Sequence, residues 1–227
     1  MQQRVLVFAP HPDDDVLGCG GSIAKHVQAG NMVKVVYLTS GGAGSLEQSS
    51  PALAARREAE AKAAALVLGV SETIFCRYPD GYLSYDNDTI EQSVALIRQH
   101  QPHMVYVSHA QEEPRDHRQA FAIVREACRR AKGPWFLQCG ATPWAVDALL
   151  TYEVLTPLQT VNYTEDITDF FDQKRRAVRA HSSQTALLPY EEAVQGLNRY
   201  RGIMTGKGAY CECFQLLELQ TSLITNF

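Results

Sequence analysis

The chain lacks a surplus of either charge, a long apolar run and a regular cysteine spacing, and each shortage removes a class of function. Lys and Arg total 21 against 25 Asp and Glu, a formal net charge of −4 over 227 residues. Nucleic-acid binding calls for a clustered cationic excess, which this balance does not offer. No apolar stretch approaches the ~18 residues of a membrane span. Only Met1-Gln2-Gln3-Arg4 precedes the first apolar segment, with no signal core or small-residue cleavage site. The six cysteines (Cys19, Cys76, Cys128, Cys139, Cys211, Cys213) are scattered, and Cys211-x-Cys213 lacks the second pair that a zinc ribbon needs. A chain of this size needs no disulfide staples, so reduced thiols and a cytoplasmic location are expected. Repeats, linkers and low-complexity segments are also missing, which leaves one domain over residues 1–227. Hydrophobic residues at 45% and charged residues at 20% exclude a disordered or collagen-like chain.

What is present is an alternation of short β-branched runs with amphipathic stretches. Residues 4–9, 33–38, 73–76 and 104–108 are nearly continuous apolar runs, as strands covered on both faces require. Helical patterns occupy residues 17–29, 52–68 and 89–100, closed by Gly30, Gly69 and Pro102, and a fourth runs over 116–131. This order predicts an α/β fold: a single Rossmann-like, doubly wound, mostly parallel sheet flanked by helices. A fifth strand is expected within 149–155, further helices over 168–181 and 189–203, and a long Ser/Gly-rich loop over 39–50.

Ligands of open α/β sheets bind outside the carboxyl ends of the strands. The first strand leads into Pro10-His11-Pro12-Asp13-Asp14-Asp15. Gly18, Gly20 and Gly21 do not have dinucleotide-fingerprint spacing, and no acidic residue ends the second strand. A nucleotide- or sugar-binding module with a non-catalytic metal is therefore the second reading. His11 and Asp14, in a loop stiffened by Pro10 and Pro12, carry ligand atoms suited to Zn²⁺, with Fe²⁺ or Co²⁺ accepting similar donors. Three crowded carboxylates are costly without a cation, although a single aspartate there would serve simply as a helix cap. The fourth strand ends in Ser108-His109, followed by Glu112-Glu113-Pro114-Arg115-Asp116-His117. If the first and fourth strands are neighbours at the point where strand order reverses, His117 approaches His11 and Asp14. Two histidines and one aspartate leave a coordination position open for water, the pattern of catalytic sites.

The His11-Pro12-Asp13-Asp14 loop and the Asp116-His117-Arg118 element resemble the PIG-L/LmbE family of zinc-dependent N-deacetylases, over nearly the whole chain. Supporting elements are Arg57-x-x-Glu60, Pro79-Asp80-Gly81, Lys174 through His181-Ser182-Ser183-Gln184, and Gly196 through Phe214. The resemblance implies an acetylated amino sugar or conjugate as substrate and an assembly of identical chains. It also implies His11, Asp14 and His117 as metal ligands and Asp13 as general base. Two positions depart from it: Asp15 stands where the family usually has Glu, and Pro114 where many members have a histidine. His109 or His181 is expected to supply that histidine's proton, oriented by Asp116. Arg57 is the candidate for substrate recognition, because a guanidinium forks onto hydroxyls or phosphate; pairing with Glu58 or Glu60 is its plainer role. Asp80 would bind sugar hydroxyls or only form its turn.

Overall fold

The computed structural model describes residues 2–44 and 50–219. Strands β1 (Arg4–Ala9), β2 (Met32–Thr39), β3 (Glu72–Tyr78), β4 (Met104–Ser108), β5 (Ala148–Tyr152), β6 (Tyr163–Asp166) and β7 (Cys211–Leu219) form one sheet in the order β3-β2-β1-β4-β5-β7-β6. The pairs among β1 to β5 are parallel, whereas β7 runs antiparallel to both β5 and β6. The expected mostly parallel α/β fold is present, with an antiparallel edge that the sequence pattern did not announce. Helices α1 (Asp14–Gln28), α2 (Ser50–Leu68), α3 (Asn87–His100), α4 (Arg115–Ala131), α5 (Phe171–Ala180), α6 (Ser182–Thr185) and α7 (Tyr190–Thr205) complete it. No helix among the described residues is long and apolar enough to cross a membrane.

Alternation along the strands explains the continuous apolar runs. Val5, Val7, Tyr37 and Leu150 enter one buried cluster together with Ile23 of α1 and Ala177 of α5. Leu6, Phe8, Val36 and Val105 enter the other, with Ile97 of α3 and Ile123 of α4. Both sheet faces are covered, so neither strand face needs polar residues.

Several boundaries differ from the sequence reading. Helix α1 begins at Asp14, three residues before the expected start, and so carries two aspartates in its first turn, where the helix dipole favours them. The 168–181 pattern splits into a 3₁₀ turn (Thr168–Phe170) and α5, and the expected 39–50 loop ends at Ser50, where α2 starts. Residues 45–49 of that loop lie outside the described residues.

The glycines after Leu17 serve packing. A Cβ on Gly18 would lie 2.2 Å from the Tyr152 ring, and one on Gly21 2.7 Å from Ile167. Helix α1 kinks here, with Cys19 at φ −142° and ψ 22°. The amides of Gly21 and Ser22 and the Ser22 hydroxyl all donate to the Glu212 carboxylate, which Lys174 Nζ also meets at 2.7 Å. Lys174 Nζ donates in addition to the Leu17 carbonyl, and both charged side chains are fully buried. Residues from α5 and β7 thus pin the helix that opens with Asp14.

Candidate active site

The strand order reverses between β1 and β4, which are hydrogen-bonded neighbours, and the loops leaving their carboxyl ends face each other. His11 Nδ1 lies 3.1 Å from Asp14 Oδ2, and His117 Nε2 lies 3.3 Å from the same oxygen. The ligand atoms of His11, Asp14 and His117 fall within 4.8 Å of one another. Burial alone would raise the Asp14 carboxyl, but the facing His117 and His11 imidazoles hold it below the usual carboxylate range. Two imidazole nitrogens and one carboxylate oxygen match a borderline divalent cation in donor type and number. The buried Nδ1 of His117 has no hydrogen-bond partner among the described residues. Glu112 Oε2 stands 3.7 Å from it, a charge contact outside hydrogen-bonding reach.

Asp13 is next to this group and points elsewhere. Its backbone sits at φ 124° and ψ −27°, outside the ordinary non-glycine regions. Such a conformation costs about 1–3 kcal/mol and persists where its surroundings enforce it. Part of that enforcement is Arg57, whose Nη2 donates to Asp13 Oδ1 at 3.1 Å and to the Pro12 carbonyl at 2.7 Å, while Nη1 donates to the Gly41 carbonyl. Burial pushes the Asp13 carboxyl up to about 7 despite the guanidinium. Asp15 lies behind, accepting from the Tyr37 hydroxyl at 3.0 Å, and burial likewise raises it to about 7.

One cleft of about 250 Å³ is lined by His11, Asp13, Asp14, Arg57, Asp80 and His117, with Gln184 and Tyr190 opposite. Arg57 reaches it already holding Asp13 and two loop carbonyls. Neither glutamate proposed as its plainer partner takes it: Glu58 engages Arg77 and Ser40, and Glu60 engages Arg56, Ser182 and Ser183. Asp80 is committed too, with Oδ1 at 3.0 Å from His11 Nε2 and Oδ2 accepting from the Ala43 amide. The imidazole beside it holds Asp80 at about 2 against the opposing effect of burial. A carboxylate on the far nitrogen of a ligating histidine fixes the ring and its tautomer.

Three further residues singled out in the sequence have these surroundings. His109 does not line the cleft: its Nδ1 accepts from the Gln111 amide, and its Nε2 lies 2.7 Å from the Thr156 carbonyl and 3.3 Å from Glu112. His181 is buried with both nitrogens unpartnered, and burial with the nearby Arg57 charge pushes it down to about 4. Asp116 orients neither of them, because it accepts from the Gly81 and Leu83 amides and stands 3.5 Å from His11 Nε2.

Two residues of the site escaped the sequence reading. Glu112 is buried and accepts from three consecutive amides, Val154, Leu155 and Thr156, while facing His109 and His117. Those partners hold its carboxylate far below the ordinary range in spite of burial. The only sequence signal was its place in the charged run before His117. Tyr190 opens α7 on the cleft wall, and its hydroxyl makes no hydrogen bond among the described residues. Burial, then Asp13 and Asp14, raise its phenol, which therefore stays a donor.

The sequence model of the PIG-L family, described as GlcNAc-PI de-N-acetylase, matches residues 6–128. The chain belongs to the PIG-L family. Among its relatives in this family, the diacetylchitobiose deacetylase of Thermococcus kodakarensis is 35% identical over 80% of this chain and 70% of its own length. A protein of Pseudomonas putida named 4-oxalmesaconate hydratase is 30% identical over 83% of this chain and 77% of its own. Among solved PIG-L structures, the N,N′-diacetylchitobiose deacetylase from Pyrococcus horikoshii superposes with a TM-score of 0.85 at 28% identity. That likeness covers 97% of this chain and 88% of the other.

Proposed function

We propose that this PIG-L protein is a metal-dependent hydrolase that removes the N-acetyl group from an N-acetylglucosamine-type sugar or conjugate. The observation carrying this reading is the meeting of His11, Asp14 and His117 within 4.8 Å, beside the separately held carboxylate of Asp13. The relatives named as deacetylases support the same chemistry. His11, Asp14 and His117 would hold a divalent cation (Zn²⁺, or Fe²⁺ or Co²⁺), which when bound would act as a Lewis acid and lower the pKa of water.

The chain's own residues supply the remainder. Asp13 takes a proton from the attacking water. Arg57 keeps that carboxylate aimed. As the water oxygen bonds to the acetyl carbon, the Tyr190 hydroxyl donates to the carbonyl oxygen on which negative charge collects. Asp13 then passes its proton to the departing nitrogen as the C–N bond breaks. Acetate and a free amine result.

The test is acetate release from N-acetylglucosamine and N,N′-diacetylchitobiose, before and after dialysis against a chelator and after Zn²⁺ is restored. Metal-reversible release of equal acetate and free amine is expected. Binding without acetate would favour a nucleotide- or sugar-binding module, and water uptake by an unsaturated acid without acetate would favour a hydratase. Tyr190→Phe removes a hydrogen bond to that developing charge, worth about 1.5–3 kcal/mol, so kcat should fall roughly 10- to 100-fold with KM nearly unchanged. Parental kcat in that variant would take the oxyanion role from Tyr190.

A further inference from the structure

The cleft that holds His11, Asp14 and His117 also carries an acceptor that the steps above leave unused. Gln184, in the short helix α6, lines this cleft and is only 7% exposed. Its orientation follows from a chain of hydrogen bonds. The Ser183 hydroxyl has a single proton and gives it to Glu60 Oε2 at 2.6 Å. Toward Gln184 the Ser183 oxygen is therefore an acceptor, and at 3.2 Å it takes a hydrogen from Gln184 Nε2. The other end of the side-chain amide, Oε1, accepts no hydrogen bond among the described residues. It lies toward the cleft: a Cβ added to Gly44, another lining residue, would stand 3.6 Å from it.

The anchor of this segment does not depend on Gln184. Glu60 Oε1 accepts from the Ser182 hydroxyl and the Ser183 amide, and Arg56 Nε donates to the same oxygen. Helix α6 is thus fixed to α2 through the two residues that precede Gln184. A buried acceptor with no donor is costly, and a ligand that brings the donor relieves that cost.

The neighbouring chemistry selects the donor. A trans amide presents its C=O and N–H on opposite sides. Tyr190, on the same cleft, offers the hydroxyl for the carbonyl oxygen, and Gln184 offers the acceptor for the N–H. An N–H held in this way turns the nitrogen lone pair away from Gln184, free to take the proton from Asp13. An acetate ester has no N–H and sets oxygen lone pairs against Oε1, so this contact discriminates against it.

We propose that Gln184 Oε1 reads the N–H of the scissile acetamide and thereby sets a preference for secondary amides over acetate esters. The proposal rests on the deacetylase reading and deepens it by assigning the residue that senses the amide nitrogen.

The experiment follows acetate release from the methyl glycoside of N-acetylglucosamine and from the methyl glucoside bearing an acetate ester on the same ring carbon. Both are tested with the parent, Gln184→Met and Gln184→Asn. Methionine keeps the side-chain length without the acceptor, and asparagine draws the oxygen back by one methylene. Neither change touches the Glu60 anchor, so both variants should fold. The amide-to-ester ratio is taken on one preparation and so does not depend on the fraction folded. In both variants kcat/KM for the acetamide should fall roughly 2- to 10-fold, the range of one neutral hydrogen bond, while the ester is cleaved as in the parent or faster. Equal falls for the two substrates, the sign of a contact with a ring hydroxyl, overturn the proposal and leave the deacetylase reading intact. So does a ratio unchanged in both variants. Acetate from the ester alone in the parent, or from neither substrate, overturns both.

Discussion

Replacing Asp13 with asparagine is expected to lower turnover by about 10²–10⁴-fold, the usual loss when a general base is removed, while bound metal stays near the parent's. The separation of effects follows from geometry. The groups that gather within ligand distance, His11 with Asp14 and His117 and His11 with Asp80 and Asp116, do not include Asp13. Asparagine has the same outline and retains an oxygen for the Arg57 donor, so the unusual backbone at φ 124° is enforced as before. Acetate-release kinetics beside metal analysis of the purified variant provide the check. Turnover at the parental rate would remove Asp13 from the chemistry, and loss of metal would place it among the ligands.

Replacing Lys174 with methionine should produce the largest loss of stability. Its ammonium is the one counter-charge on Glu212 among the described residues, both side chains are closed to solvent, and stranding one partner of such a pair costs about 3–5 kcal/mol. At ~2–4 °C per kcal/mol for a chain of 150–250 residues, the unfolding midpoint should drop by roughly 6–20 °C. The double variant Lys174→Met/Glu212→Gln should recover part of the loss, because no charge is then left buried alone. Strict additivity of the two single effects in thermal or urea unfolding would mean that the two charges do not act as a pair.

The first four strands were legible because each is an apolar run covered on both faces, a signal that needs no knowledge of partners. β7 was not, since its second residue, Glu212, breaks the apolar pattern and is accommodated by Lys174, 38 positions earlier, and by the Gly21 and Ser22 donors of α1. β6, four half-buried residues at the sheet edge, carries no pattern to read. Within the site, the loop after β1 and His117 stood out by residue type and by the topological rule for strand ends. Residue type alone could not show where the His109 and His181 rings point. Glu112 and Tyr190 illustrate the converse: one lies in a charged run and one follows a proline, and only folding gives either a direction.

The capping of Gly21 and Ser22 by Glu212 has a consequence for how the chain can be divided. The stretch matched by the PIG-L model stops at residue 128 and contains His11, Asp13, Asp14 and His117. Yet two main-chain amides of its first helix find their acceptor on the final described strand, more than 180 positions downstream. A fragment cut after residue 128 would carry the reactive side chains on a helix whose bend has lost its tether. The minimal working unit of this protein therefore extends at least to Glu212.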